Sequence, residues 1–242
     1  MLEIRHEGMQ AFTATQAAYN DIYNAEGLMQ RDSYYLWLLS LLKVEPDRRL
    51  VDISCGQGRL VTLAQKSGLQ AMGIDFASEA VQQGQAACQL AGWGIGDGEA
   101  LPLADQSVDY VTHIGSLEHY LHPRRGAREI ARILKQDGKA CILLPNAFGL
   151  LGNIKYVWQK GDIFDDGQPL QRYATRNVWT NLLEDNGLQV IKTIGYGEVV
   201  WPRTRQDALW LVARPQKILR WLLIQLTPLN LSNHFVFICT RA

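Results

Sequence analysis

No cysteine pair in this chain stands at CxxC spacing. Cys55, Cys88, Cys141 and Cys239 lie far apart, which excludes a zinc-ligand pattern and points to packed, reduced thiols rather than a disulfide framework. Neither sign of charge is in excess. Lys and Arg together number 24, and so do Asp and Glu, so no global field favours nucleic acid and none is expected as a partner. No run approaches the ~18–20 apolar residues of a membrane span. Residues 1–10 carry charges and lack an apolar stretch, so no signal peptide is expected and the expected location is cytoplasmic. Internal repeats and low-complexity segments are absent as well. A Gly-Lys-Ser/Thr triplet is missing, which removes a P-loop from consideration.

What remains is ordinary globular material. The chain has 242 residues, 47% of them hydrophobic and 20% charged, which suits one domain with an elaboration and a sizeable core. The rest is organised around Leu50-Val51-Asp52-Ile53-Ser54-Cys55-Gly56-Gln57-Gly58-Arg59-Leu60. A short apolar run ends in a carboxylate, turns through two glycines, and continues with Leu60, Val61, Leu63 and Ala64 at helix-face spacing. Glycine permits close backbone approach to a ligand and φ > 0, and the new helix offers free N–H groups to an anionic group. A dinucleotide fingerprint would place a small residue where Val61 stands, so a nicotinamide oxidoreductase is a poor fit.

Strand patterns recur at 69–74, 108–113, 140–144, 188–194 and 234–240, with helical patterns between them at 78–90, 124–134 and 175–186. This alternation predicts a mostly parallel, doubly wound sheet. Gly84 interrupts one helix at about 1 kcal/mol relative to alanine. Asp75 closes the strand after the glycine turn, where a βαβ unit brings a carboxylate beside the same ligand; capping the next helix is its plainer role, and Ser78 is an equal cap. Phe76 beside it flanks the ligand or packs in the core. Gly96-Asp97-Gly98-Glu99-Ala100-Leu101-Pro102-Leu103 follows, then the strand at 108–113 running into Gly115-Ser116-Leu117-Glu118-His119. Asp97-Gly98 is also a turn signal, and Glu99 also fits the start of a turn.

Taken in order, these motifs resemble those of class I S-adenosylmethionine-dependent methyltransferases of the ubiquinone and menaquinone type, over about residues 46–146. Asp52, Gly56 and Gly58 match the family's Asp-x-Gly-x-Gly-x-Gly loop, while Ser54 replaces a glycine and reshapes it slightly. The resemblance implies a Rossmann-like α/β sheet of seven strands, the last antiparallel. It implies S-adenosyl-L-methionine as cofactor and S-adenosyl-L-homocysteine as product. Asp75 would then hold the ribose and Phe76 flank the adenine. Asp97, Gly98 and Glu99 would meet the adenine, with Gly115 and Ser116 beside the methionine part. His119 is the candidate general base, its alternative being to order the loop. Some relatives hold a metal through Glu-x-x-Glu-His; Gly115 replaces the first glutamate here, so no metal is expected.

The expected organisation is one methyltransferase domain: an N-terminal helical lid over 1–45, a cofactor-binding core over 46–146, and substrate-cap insertions at 147–172 and 201–230. In the lid, Tyr19 and Tyr23 are either core or cover for the cofactor, and Asp32 or Ser33 caps a helix to residue 43. Residues 147–172 look irregular. Residues 201–226 carry Trp210 and Trp221 among leucines, with Arg203, Arg205, Arg214, Lys217 and Arg220 against one acid, Asp207, and Pro215 splits them into two helices. A cap packed on the sheet is the preferred placement; peripheral contact with a membrane surface is the other. The expected activity is methyl transfer to a small molecule, amphipathic or lipid-linked, by a monomer or dimer. The alternative is a non-catalytic S-adenosylmethionine-binding or partner protein on the same scaffold.

Overall fold

The computed structural model describes residues 1–5, 16, 18–20 and 29–242. Tyr23 and most of the segment around it lie outside the described residues. In chain order the elements are β1 (Leu2–Arg5), α1 (Asp32–Leu42), β2 (Arg49–Ile53), α2 (Arg59–Lys66), β3 (Gln70–Asp75), α3 (Ser78–Ala87), β4 (Gly92–Ile95), β5 (Val108–Ile114) and α4 (Pro123–Ile133). Then come β6 (Leu134–Pro145), α5 (Lys155–Lys160), β7 (Leu170–Tyr173), α6 (Arg176–Glu184), β8 (Leu188–Tyr196), α7 (Arg205–Val212), α8 (Pro215–Leu226) and β9 (His234–Arg241). Seven strands form one sheet in the order β4-β3-β2-β5-β6-β9-β8. β9 is antiparallel to both neighbours, so the last strand is inserted between β6 and β8 rather than added at the edge.

Alternation along the strands splits the core in two. Val51 and Ile53 face the layer covered by α4 and α6, with Ile130, Trp179 and Phe237. Leu50 faces the layer covered by α1 and α2, with Leu38, Leu60 and Val236. Strand order reverses between β2 and β5, and ligands in such sheets bind outside the strand ends at that switch point. The glycine turn after β2 and the Gly115 turn after β5 meet there.

Several local expectations differ from what is seen. Neither Asp32 nor Ser33 caps α1: Arg31 occupies that position without a side-chain cap. Asp32 instead grips Arg59, and the Ser33 N–H donates to Asp207. β6 begins at Leu134, because its register with β5 jumps from Val108↔Leu134 to Tyr110↔Lys139 and the residues around Gly138 bulge out. The irregular stretch after residue 147 contains a π turn at Leu150–Ile154, α5, and β7, which pairs antiparallel with β1 across most of the chain. Residues 2–5 are therefore a strand rather than part of a helical lid. Pro215 does open a second helix, and α8 has no buried residue, so it sits on the rest of the chain by half-buried residues only.

Gly84 has a steric reason. A Cβ there would lie 2.3 Å from the Trp93 ring, one on Gly58 2.0 Å and one on Gly73 2.9 Å, so three glycines form the slot for this indole. Gly84→Ala gains helix propensity of about 1 kcal/mol yet overpacks the slot at roughly 1–3 kcal/mol. The expected outcome is a net loss of stability in urea unfolding, whereas a more stable variant would show that the ring moves freely.

Candidate active site

β2 delivers Asp52 to the switch point between buried Val51 and Ile53. The chain then turns with Ser54 at φ +55°, Gly56 at +51° and Gly58 at +68°. The turn is fixed to β3 by the Cys55 N–H, which donates to the Ile74 carbonyl at 3.1 Å. Ser54 holds a left-handed conformation that favours glycine. Its Oγ lies 2.8 Å from the Tyr120 hydroxyl, which ties the turn to the far wall of the cleft.

Two buried carboxylates face the turn. Asp52 accepts the Thr112 hydroxyl at 2.6 Å. Burial pushes its pKa up to about 7, against the Thr112 hydrogen bond and with help from the negative charge of Asp75. Asp75 accepts the backbone N–H groups of Gly56 at 2.8 Å and Ala77 at 2.9 Å. Burial dominates here too and lifts it to about 6 despite those donors. Carboxylates desolvated in this way favour a cationic or hydroxyl-bearing ligand, which would restore their charged form.

Three adjoining cavities share Gly115. The first, of about 450 Å³, is lined by Asp52, Ser54, Gly56, Gly58, Gly115 and Ser116, with Tyr34 and Tyr35 of α1, Tyr196 and Lys217 opposite. The second, of about 130 Å³, is lined by Asp75, Phe76, Asp97, Gly98, Glu99, Gly115, Ser116, His119 and Tyr120. Tyr19 closes it, with its ring edge-on to Phe76 at 5.1 Å and its hydroxyl donating to Gln168 at 2.7 Å. Asp97 accepts the Glu99 N–H at 2.8 Å, and Glu99 accepts the His122 N–H at 2.8 Å, so Glu99 orders the loop as well as lining the cavity. Gly98 is obligatory: a Cβ would lie 1.8 Å from the Tyr120 hydroxyl. All twelve residues singled out in the sequence thus line one continuous cleft.

The third cavity, of about 550 Å³, opens beyond His119 and is walled by Glu118, Tyr156, Asp166, Gln171, Arg220 and His234. The His119 Nδ1 contacts the Leu170 carbonyl, which can only accept, so Nδ1 carries the proton. Nε2 is left as the basic atom, 3.8 Å from Glu118 and 4.0 Å from Asp166. Burial lowers the imidazole pKa, partly opposed by Asp166, which keeps the ring neutral. Arg172 of β7 holds this turn in place by donating to the Tyr120 carbonyl and pairing with Glu3 at 2.7 Å.

Glu118 is the residue that spacing alone did not single out. It is buried, its Oε2 has no hydrogen-bond partner among the described residues, and burial raises its pKa to about 8. It is therefore a neutral acid at pH 7, able to donate. Between its ordinary 4.5 and about 8, the folded chain holds a proton that the unfolded chain has released. Stability accordingly falls as pH rises through that window. Glu118→Gln should melt higher than the wild type by a margin that widens from about pH 5 to pH 8 and then levels off; a constant margin would place the Glu118 pKa in the ordinary range.

Comparisons with known proteins bear on the fold and the domain. Residues 51–142 match the family described as a methyltransferase domain. An uncharacterised methyltransferase of Mycobacterium tuberculosis (strain ATCC 25618 / H37Rv) is 28% identical over 170 residues, covering 65% of this chain and 68% of the relative. The demethylmenaquinone methyltransferase of Thermotoga maritima is 26% identical over 167 residues, covering 64% and 72%. Among solved structures, the geranyl diphosphate C-methyltransferase of Streptomyces coelicolor superposes with TM-score 0.67 at 14% identity, covering 96% of this chain and all of that one, which is an agreement of fold. A family model over the strand–turn–helix core, relatives named for the same activity over about two thirds of the chain, and an agreement of fold lead to one conclusion: residues 51–142 form a methyltransferase domain.

Proposed function

We propose that this enzyme methylates a small amphipathic acceptor of the quinol type, using His119 as general base. The observation that carries the proposal is the position of His119, which borders both the second cavity and the third. In this assignment Asp75, Phe76, Asp97, Gly98 and Glu99 take the adenosine, with Tyr19 of the N-terminal lid as cover. Asp52, Ser54, Gly56, Gly58, Gly115 and Ser116 take the methionine part, where the buried Asp52 charge offsets the ammonium. The third cavity takes the acceptor, walled by the insertion at 147–172 and by the cap at 201–230.

The cofactor supplies an activated methyl group on a sulfonium, so no covalent nucleophile is required of the protein. The chain's own work is to align the acceptor, exclude water and receive a proton. Nε2 of His119 takes that proton from the acceptor hydroxyl. Protonated Glu118 donates a hydrogen bond that fixes the acceptor's second oxygen. The name of the Thermotoga relative, which acts in menaquinone chemistry, supports a quinol-type acceptor.

The test is calorimetric binding of S-adenosylmethionine and S-adenosylhomocysteine, followed by transfer of a labelled methyl group to a panel of hydroquinones, simple phenols and long-chain alcohols. Label in the hydroquinones is expected. Binding without transfer to any hydroquinone would overturn the acceptor class. Absence of binding would overturn the assignment of the cleft.

A further inference from the structure

The pair α7–α8 has two faces, and only one belongs to the cleft. Lys217, Arg220 and Ile224 recur at helical spacing on the inner face of α8. Lys217 lines the first cavity, Arg220 lines the third and pairs with Glu198 at 2.8 Å, and Ile224 packs over Gly197. Leu219, Leu222, Leu223 and Leu226 recur at the same spacing on the opposite face and are 46–80% exposed. Leu209 and Val212 of α7 are exposed too, as is Trp201, whose ring lies 4.8 Å from that of Trp221. An apolar stripe of this kind on a cap helix calls for an occupant.

Charge selects the occupant. Arg203, Arg205 and Arg214 are exposed around the stripe. The one acid between Trp201 and Leu226 is Asp207, which is buried and engaged by Arg31 and the Ser33 N–H at 2.9 Å each. A second copy meeting the same face would set arginine against arginine with no acid between them. Anionic headgroups would neutralise all three while the leucines and Trp201 enter the acyl boundary. Among the described residues no helix is long and apolar enough to cross a membrane, so such contact lies at the surface.

We infer that the outer face of α7–α8 docks this enzyme on an anionic lipid surface, with the inner face of the same helix forming the wall of the acceptor cleft. An amphipathic acceptor then reaches the third cavity from the lipid side without its tail crossing water. That last consequence rests on the proposed acceptor; the docking does not.

The full chain should co-sediment with vesicles of phosphatidylcholine and phosphatidylglycerol, and far less with phosphatidylcholine alone. Leu222→Glu/Leu226→Glu should abolish sedimentation while leaving cofactor affinity and the melting temperature unchanged. Arg205→Glu and Arg214→Glu should each weaken vesicle binding by roughly fivefold or more, and added salt should weaken the wild type similarly. A wild type that stays in solution with anionic vesicles, or a leucine double variant that still sediments, would overturn the inference. So would a dimer dissociated by the leucine variant in the absence of vesicle binding, which would make a second copy the occupant. Because cofactor affinity is read separately, a failure of docking is distinguishable from a failure of the cleft assignment.

Discussion

Asp75→Asn loses S-adenosylmethionine affinity while keeping most of the fold. The Gly56 N–H donates to one carboxylate oxygen and the Ala77 N–H to the other, so the amide keeps an acceptor for only one of them, and it no longer carries charge for ribose hydroxyls. The loss of charge-assisted hydrogen bonds amounts to about 1–3 kcal/mol, or roughly five- to 150-fold in dissociation constant. Asp75→Ala should lose more, because it also leaves two donors in the turn without their acceptor. Calorimetry and urea unfolding on both variants separate the two effects, and an unchanged affinity in the asparagine variant would refute the ribose assignment. A pH dependence follows from the same group. Asp75 at about 6 and Asp52 at about 7 are partly protonated in the empty cleft near neutrality. The cofactor favours their ionised forms, so binding should release protons between about pH 6 and 7 and weaken as pH falls through that range. Titrations in buffers of different ionisation enthalpy read this release directly.

His119→Ala should lower the maximal rate by about 100- to 10,000-fold, the usual contribution of a positioned base, with cofactor affinity spared. His119→Gln keeps a donor for the Leu170 carbonyl but has no basic atom, so it should be as slow as the alanine variant if the proton transfer matters. If the role is only to order the turn, the glutamine variant should recover. The wild-type rate should also show its basic form already dominant below the ordinary histidine range, because burial lowers that pKa. Unaltered turnover in both variants would reject His119 as the base.

The sheet and the turn at its switch point were legible because their signals are local. Asp52 to Gly58 encodes a strand, a left-handed turn and a helix within a few residues, and Asp75 ends the next strand in register with it. The remaining features depend on residues far apart in the chain. β1 and β7 pair Leu2 with Tyr173, and neither segment carries a pattern that names its partner. Glu118 is visible in the sequence as half of a Glu-His pair, but nothing there shows that the fold buries it and holds its proton. Gly84 reads as a helix defect until Trp93 is seen to occupy the space. Which face of α8 is left open is not legible either: composition shows leucines and basic residues together, and only the fold turns Lys217, Arg220 and Ile224 inward and leaves Leu219, Leu222, Leu223 and Leu226 exposed.

One line of contacts gives the cap a reach beyond its own helices. Asp207 of α7 receives Arg31 and the Ser33 N–H at the start of α1. The adjacent Asp32 clamps Arg59 through two hydrogen bonds of 2.6 Å, at the first residue after the glycine turn. Where α7 sits and how that turn is held are thus parts of one connected body. Linkage then works in both directions. Whatever free energy cofactor occupancy spends in tightening the turn on α1 must reappear, equal in size, as a change in how firmly the cap is seated. If occupancy tightens that turn, cofactor affinity and the seating of the cap should shift together, and Asp32→Ala should uncouple them.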